Sequence, residues 1–436
     1  IAAITGTNGK TTTSRMLSHI LKDCGHVVGL TSTDGIQIDG KISVKGDMTG
    51  PTSAQMVLRD PSVDFAVMET ARGGILRAGL GYQESNVAAC LNVAADHLGL
   101  KGVDTLEQLA EIKRVVVETA TDVAVLNADD NNCLKMADYC DSSRICYVTM
   151  NAENALVREH IRAGGMACVL ERAINGDMIT FYDNGSHMPL LWSHLIPATL
   201  EGKALHNVQN AMFAASMAYA LSKDFEQIRH GLRTFDTSFF QAPGRMNVFN
   251  EHPFKVILDY AHNPAAFQVV VDTVNRMDVA GRRVAVISMP GDRRDEDIRE
   301  SARALAGHFD SYICKADDNR RGRGEDEVPQ ILRHELLAQG VSDDAIQVIA
   351  SEEEAIESAL AAGGEGDLLV VFGDNITRCW KQIIYFGGDQ EAEEEPAEVA
   401  ETSLAESSLG VFLEDGQQLI SDERGVRLAR DEEGDD

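Results

Sequence analysis

The sequence predicts an α/β protein in which two parallel-sheet domains follow one another, the first built to hold phosphate and the second Rossmann-like. Apolar runs alternate with helical stretches from the first residue to about 240, and a second alternating series begins near residue 244. A glycine-rich turn breaks the first apolar run almost at once. Buried strands alternating with helices are the pattern of a parallel sheet covered on both faces, and 436 residues exceed one ordinary domain.

The first domain is expected over 1–240. Its opening run, Ile1-Ala2-Ala3-Ile4, reads as a strand, and the helix after the turn, over 11–24, carries Met16, Leu17, Ile20 and Leu21 at the spacing of a buried stripe. The runs 27–31, 63–69, 87–93 and 123–126 read as further buried strands. Residues 145–205 are irregular and β-rich, with turns at Gly164-Gly165, Asn175-Gly176 and Asn184-Gly185, and are expected to form a small antiparallel annex. An Ala-rich helix follows over 207–221. The second domain, 241–386, shows strands at 255–260, 283–288, 311–315, 346–349 and 367–372. From 387 to 436 the chain turns acidic, with seventeen acids against three arginines after residue 388, and reads as a mobile, solvated tail.

Composition narrows the function. The chain holds 39 basic and 69 acidic residues, a formal charge of −30, which argues against nucleic acid or an anionic membrane as partner and favours a cationic substrate or product. No apolar run approaches the ~20 residues of a membrane span, and no signal peptide precedes the first strand, so a soluble, cytoplasmic protein is expected. The eight cysteines lack any C-x-x-C pairing and are expected to be reduced core residues. The chain starts with Ile1 inside a strand, so it is expected to be a fragment, or a domain cut from a longer polypeptide.

The turn Thr5-Gly6-Thr7-Asn8-Gly9-Lys10-Thr11-Thr12 has the make-up of a phosphate cradle. Backbone N–H groups converge on phosphate oxygens, Lys10 adds a cation, and the Thr11 hydroxyl suits Mg²⁺. The general P-loop pattern would put glycine at position 4, where Ile4 stands. The strand over 63–69 ends on Glu69; a carboxylate at the carboxyl end of a parallel strand faces the nucleotide crevice, which makes Glu69 a Mg²⁺ ligand beside Thr11.

The loop T-G-T-N-G-K-T-T, with Asn92 and the Asp96-His97 pair, resembles the Mur ligase and folylpolyglutamate synthetase superfamily. That resemblance implies a P-loop Mur ligase central domain followed by a Rossmann-like Mur ligase C-terminal domain. It further implies that Thr7, Asn8, Gly9, Lys10, Thr11 and Thr12 hold ATP, that His97 is a ligand of a second Mg²⁺, and that Asn92 and Asp96 organise the site. Lys113 matches a lysine that many members carbamylate to gain a carboxylate. His206-Asn207-Val208-Gln209-Asn210-Ala211 matches an H-N-x-x-N-A segment, so Asn210 is expected to meet adenine. Pro243-Gly244-Arg245 and Asp259-Tyr260-Ala261-His262-Asn263-Pro264 match two motifs that open the C-terminal domain; Arg245 is expected on phosphate and Asp259 on the ribose hydroxyls.

Four segments, beginning at Thr70, Pro290, Asp317 and Gly373, narrow the resemblance to the Mur-like half of the cyanophycin synthetase family. The implied reaction is ATP-dependent ligation of the α-amino group of arginine to the β-carboxyl of aspartate on a poly-aspartate backbone, through an acyl phosphate. The implied partners are arginine, an aspartate-rich primer and an ATP-grasp half in the same polypeptide, assembled as a homo-oligomer. Selecting arginine needs carboxylates against its guanidinium, a role expected of Asp317 and Asp318. Arg72, Arg77, Arg293 and Arg294 are expected to hold the acidic primer. The competing readings are a peptidoglycan-precursor or folylpolyglutamate-type ligase, a P-loop kinase, and a nucleotide-binding module inactive without its other half.

Overall fold

A computed structural model describes residues 1–96, 98–222 and 224–387, with the backbone of two further strands at 417–422 and 425–430. The remainder of the predicted acidic tail, and His97, lie outside the described residues.

The first domain is organised around one sheet. Its strands are β1 (Ala2–Thr5), β2 (Val28–Ser32), β3 (Gly35–Ile38), β4 (Lys41–Lys45), β5 (Phe65–Glu69), β6 (Ser85–Cys90), β7 (Ala120–Asn127), β8 (Arg144–Thr149), β9 (Met166–Ala173), β10 (Gly176–Asp183) and β11 (Ser186–Trp192). They lie in the order β11-β10-β9-β8-β7-β6-β1-β5-β2-β3-β4. The strands from β9 across to β2 run parallel, and β3, β4, β10 and β11 add antiparallel edges. Residues 145–205 are therefore continuous with the main sheet, since β8 and β9 still pair in parallel and only the hairpins beyond them reverse direction.

Helices α1 (Lys10–Asp23), α2 (Pro51–Arg59), α3 (Arg72–Ala78), α4 (Leu106–Val117), α5 (Asn131–Lys135), α6 (Ala155–Arg162), α7 (Leu205–Ser222) and α8 (Phe225–Thr234) cover the sheet. Met16, Leu17, Ile20 and Leu21 of α1 are fully buried and pack with the Ala-rich α7 against one face. On the other face, Leu109, Val116 and Val117 of α4 pack against Ala88, Ala124 and Ala167. A capping box starts α4, with Thr105 accepting from the Gln108 N–H and the Gln108 side chain reaching back.

The second domain holds β12 (Asn247–Phe249), β13 (Lys255–Asp259), β14 (Arg283–Ile287), β15 (Ser311–Cys314), β16 (Ile346–Val348) and β17 (Leu368–Phe372), in the order β12-β13-β17-β14-β15-β16. All pairs are parallel except β12 with β13. Helices α9 (Pro264–Asn275), α10 (Asp295–Leu305), α11 (Glu327–Ala338), α12 (Glu352–Ala362) and α13 (Ile376–Tyr385) sandwich it around two apolar clusters. Strands β18 (Gln417–Asp422) and β19 (Gly425–Arg430) pair as an antiparallel hairpin. No helix among the described residues is long and apolar enough to cross a membrane. The cysteines are all free; Cys24 and Cys140 are half-buried rather than core, while the other six are buried.

The linker between the domains is pinned rather than loose. Buried Asn247 donates to the carbonyls of Thr237 and Ala242, both at 2.8 Å, and accepts from the Gly244 N–H at 2.6 Å. Arg15 of α1 bonds the Gln241 carbonyl at 2.9 Å and Asp34 at 2.7 Å. These bonds set the direction in which Arg245 leaves the linker.

Candidate active site

The carboxyl ends of β1, β5 and β6 converge where β1 is flanked by the other two, the place in an open parallel sheet where the chain leaves a crevice. A cleft of about 640 Å³ opens there, lined by the 6–12 loop, Glu69, Arg72, Arg77, Lys113 and Asn210 of the first domain and by Arg245, Asp259, Tyr260, Arg293 and Arg321 of the second.

The loop is shaped by its neighbours. Gly9 has φ +87°, and a Cβ there would stand 2.3 Å from Oδ1 of Asn210. Only glycine fits that approach. Oδ1 of Asn92, just past β6, accepts from the Thr7 N–H at 3.1 Å and the Asn8 N–H at 2.9 Å, and its Nδ2 donates to the Asn8 carbonyl at 3.1 Å. The Thr7 hydroxyl donates to the Ala94 carbonyl at 3.1 Å, and Lys10 Nζ donates back to the Thr7 carbonyl at 2.8 Å. Asn210 accepts from the Thr13 hydroxyl at 3.3 Å and donates to Asn207 at 3.1 Å.

Thr11 and Glu69 lie together. The Thr11 hydroxyl donates to Oε1 of Glu69 at 3.1 Å, and Oε2 of Glu69 accepts from the Thr33 N–H at 3.4 Å. Glu69 is 2 % exposed. Burial pushes its pKa up to about 7, against the pull of Lys10 and Arg245. A buried carboxylate beside a hydroxyl, with its charge only partly compensated, is a donor set that fits a hard divalent cation. Among the described residues no cluster of three His, Cys, Asp or Glu side chains forms a ready-made metal site.

Lys113 of α4 is 3 % exposed and donates to the Gly6 carbonyl at 2.8 Å. Burial, with Lys10 adding to it, holds its pKa down to about 7. Its amine thus supports the loop from below and is not turned to solvent. The His206 ring lines the cleft near Asn210 with Nδ1 left without a partner among the described residues; burial lowers its pKa to about 4, so the ring is neutral at physiological pH.

The second domain closes the cleft with three contacts. Arg245 reaches the Thr11 hydroxyl at 3.4 Å while its guanidinium lies 5.1 Å from the centre of the Tyr260 ring. Arg293 meets Asp96 at 3.5 Å and Asp292 at 3.0 Å. Asn263 exchanges hydrogen bonds with Asn8. Asp259 binds the backbone on either side, accepting from the Met246 N–H at 2.9 Å and the Ala261 N–H at 2.8 Å, and burial raises its pKa to about 6.

The remaining sequence-predicted residues are spread around this centre. Arg72 Nη2 donates to the Leu100 carbonyl at 3.2 Å, and Arg77 lines the same wall. Arg294 faces outward and is held by Asp297 through two bonds of 2.9 and 2.7 Å, outside the lining of the cleft. Asp317 and Asp318 follow β15, also outside the lining; Asp317 is near enough to act on Tyr260 and Arg321 of the lining, and Arg378 occupies Asp318 at 2.8 Å.

Sequence reasoning missed the network behind these two acids. Lys315, fully buried, meets Glu352 at 2.9 Å, the Ser288 hydroxyl at 2.9 Å and Asp317 at 3.8 Å. Glu352 accepts from the N–H groups of Asp374 and Asn375 at 2.7 and 3.1 Å and from Arg378. One carboxylate therefore ties together the chain after β15, the start of α12 and the loop after β17. Asp374 is pushed above the usual carboxylate range by burial and by Asp317. The available signal was a lysine ending an otherwise apolar strand, in Ile313-Cys314-Lys315.

Comparison with known proteins accords with this two-domain site. The Mur ligase middle domain matches residues 4–218, and the Mur ligase glutamate ligase domain matches residues 244–375. A cyanophycin synthetase of Nostoc sp. is 43% identical over 389 residues, 88% of this chain and 42% of that protein. A UDP-N-acetylmuramoyl-L-alanyl-D-glutamate–2,6-diaminopimelate ligase of Corynebacterium efficiens is 28% identical over 86% of this chain and 68% of its own length. The chain thus spans about two fifths of the cyanophycin synthetases it matches. Among solved structures, E. coli FolC in complex with DHPP and ADP superposes with a TM-score of 0.63 at 19% identity, covering 88% of each chain. A bifunctional folylpolyglutamate synthase/dihydrofolate synthase solved with Mn, AMPPNP and L-glutamate gives 0.62 at 20% identity, over 88% of each chain. With both of its domains matched and the cleft formed between them, this chain belongs to the Mur ligase family.

Proposed function

We propose that this chain is an ATP-dependent ligase that joins the α-amino group of arginine to the β-carboxyl of aspartate in a poly-aspartate backbone. The observation that carries the reading is the single cleft in which the phosphate loop, buried Glu69 and cationic side chains of both domains meet. The 43% identity to a cyanophycin synthetase supports the substrate pair. The aspartate-adding activity is assigned to an ATP-grasp part outside this chain.

ATP would lie with its phosphates on the N–H groups of the 7–12 loop and its adenine near Asn210 and His206. Thr11 and Glu69 would hold one Mg²⁺ and His97, by resemblance, a second, the chemistry of these ions being to neutralise charge on the phosphates. Lys10 and Arg245 add positive charge to the γ-phosphoryl group in transfer. The β-carboxylate oxygen attacks phosphorus, the bond to ADP breaks, and an acyl phosphate forms. The neutral amine of arginine then attacks the acyl carbon, phosphate departs with the electron pair, and the amine proton passes to solvent or to the departing phosphate. Arg72 and Arg77 on one wall, with Arg293 opposite, present cations to the acidic primer, and Arg294 adds charge at the outer edge. Asp317 and Asp318 face the incoming guanidinium, with Asp374 beside them. Lys113 with its lowered pKa supplies the neutral amine that carbamylation requires.

The test supplies ATP, Mg²⁺, arginine and an oligo-aspartate with a free β-carboxyl, and reads arginine added to the primer by mass together with ADP release. Parallel reactions replace the primer with a UDP-sugar peptide or a folate, and arginine with lysine. Absence of product and of arginine-dependent ADP sinks the proposal, turnover with the peptide or the folate moves the chain to another Mur ligase branch, and ADP release without any amine points to a kinase.

A further inference from the structure

We propose that Asn263 is a positioning residue that latches the second domain onto the phosphate loop through a reciprocal amide pair with Asn8, an inference resting on the reading of the cleft as a two-domain ligase site. Nδ2 of Asn8 donates to Oδ1 of Asn263 at 3.2 Å, and Nδ2 of Asn263 donates to Oδ1 of Asn8 at 3.0 Å. The two residues stand 255 positions apart and belong to different domains.

Asn263 performs two tasks with one amide, its Oδ1 serving both the helix cap and the latch and its Nδ2 the latch alone. As N-cap of α9, its Oδ1 accepts from the Ala266 N–H at 2.9 Å. That bond fixes which atom is oxygen, so the orientation of both amides follows. Asp and Ser cap a helix as well as Asn does, but Asp lacks the donor and Ser lacks the reach needed to pair with Asn8. Asn263 is 1 % exposed, so leaving its nitrogen without a partner in the closed form carries a desolvation penalty.

Asn8 is likewise held from two sides. Its backbone N–H and carbonyl are bonded by Asn92 at 2.9 and 3.1 Å, while its side chain is held by the second domain. The loop that cradles phosphate is thereby finished by a residue of the other domain. Closure and shaping of the cradle become one event, and the closed arrangement is favoured before nucleotide arrives.

The experiment uses the whole chain and measures the radius of gyration by small-angle X-ray scattering, with and without AMPPNP and Mg²⁺, together with the AMPPNP affinity by calorimetry. Asn263→Ser keeps the helix cap and removes the latch. It is expected to shift the open–closed balance about tenfold toward open, from the loss of two neutral hydrogen bonds, and to weaken AMPPNP by a similar factor, with the melting temperature nearly unchanged. Asn8→Ala breaks the pair without touching α9 and should produce the same opening, and the double variant should be no more open than either single one. Unchanged scattering and affinity in Asn263→Ser overturn the proposal. So does opening in Asn263→Ser without opening in Asn8→Ala, because the effect then belongs to the cap. None of these readouts involves arginine or aspartate, so a failed ligation assay leaves the latch testable, and a failed latch leaves the ligation reading intact.

Discussion

Lys113→Met should make the first domain more stable at acidic pH and less stable at alkaline pH, with the two stability curves crossing. Lys113 is buried against the Gly6 carbonyl, and its pKa falls from 10.5 to about 7. At 1.36 kcal/mol per pH unit, that gap corresponds to roughly 5 kcal/mol of penalty for holding the ammonium form in the fold. The unfolded chain keeps this proton up to 10.5 while the folded one releases it near 7. Between these values the unfolded state binds more protons, so stability rises with pH and the penalty is fully present only below about 7.

Methionine removes the charge and also the bond to Gly6, leaving a carbonyl short of a partner at a cost of about 2 kcal/mol. At pH 6 the variant should therefore gain about 3 kcal/mol, and above pH 10.5 it should lose about 2 kcal/mol. The curves cross at roughly pH 9, where the shrinking penalty equals the lost bond. Urea unfolding of both proteins, in carbon-dioxide-free buffers at pH steps from 6 to 10.5, reads the difference directly. A variant less stable at every pH, or a difference that does not change with pH, refutes the placement of a desolvated amine at this position.

Three further outcomes are expected. Gly9→Ala forces a side chain to a φ of +87° and into Asn210 at 2.3 Å; it should destabilise the domain by about 1–3 kcal/mol and abolish AMPPNP binding, and calorimetry showing normal affinity would contradict the loop geometry. Glu352→Gln removes the acceptor charge shared by Lys315 and Arg378 and should cost about 3–5 kcal/mol in urea unfolding. Because Glu352 is held down to about 2 from 4.5, its contribution of about 3 kcal/mol is present above pH 4.5 and lost as pH falls toward 2; the variant should lack that acid-induced loss. Asp317→Asn should raise the KM for arginine about tenfold or more with the KM for ATP unchanged, whereas Asp318→Asn should act more weakly because Arg378 already occupies that carboxylate; an unaltered arginine KM in Asp317→Asn removes the assignment.

What could be read from the sequence was what is contiguous in it. The 6–12 loop, the strand ending at Glu69 and the alternation of strands with helices are local patterns, and the structure shows a parallel sheet with the loop at its carboxyl edge. The hairpin of β3 and β4 escaped notice because Lys41-Ile42-Ser43-Val44-Lys45 is a short, exposed edge strand with little apolar signal. Glu352 was hidden for a different reason. It heads the run Glu352-Glu353-Glu354, which reads as a solvated helix start, yet Glu352 alone of the three is buried, at 2 % exposed, because Lys315 and Arg378 lie beneath it. Contacts between the domains were invisible for want of any local pattern; Asn8 with Asn263, Asp96 with Arg293 and Thr11 with Arg245 each join positions about two hundred residues apart or more.

Those three contacts bear on why the proposed ligation would need two domains. Each pairs a residue at the carboxyl edge of the first sheet with one of the second domain. Arg245 is aimed by the linker, where Asn247 fixes the Gly244 turn and Asp259 binds the Met246 N–H next to Arg245 as well as the Ala261 N–H after β13. A displacement of the second sheet therefore moves Arg245, Asn263 and Arg293 together, because β13 and β14 both pair with β17 and are followed by the loops that carry Asn263 and Arg293, while Asp259 at the end of β13 bonds the Met246 N–H next to Arg245. Under the proposed ligation, a site assembled this way would have its phosphate charge stabilised and its acceptor pocket presented only in the closed arrangement, which would limit the access of water to an acyl phosphate while the second substrate is awaited. Weakening any one of the three contacts should then, under the same proposed ligation, raise ADP release that is not matched by amide formation, alongside the weaker nucleotide binding expected of the open arrangement.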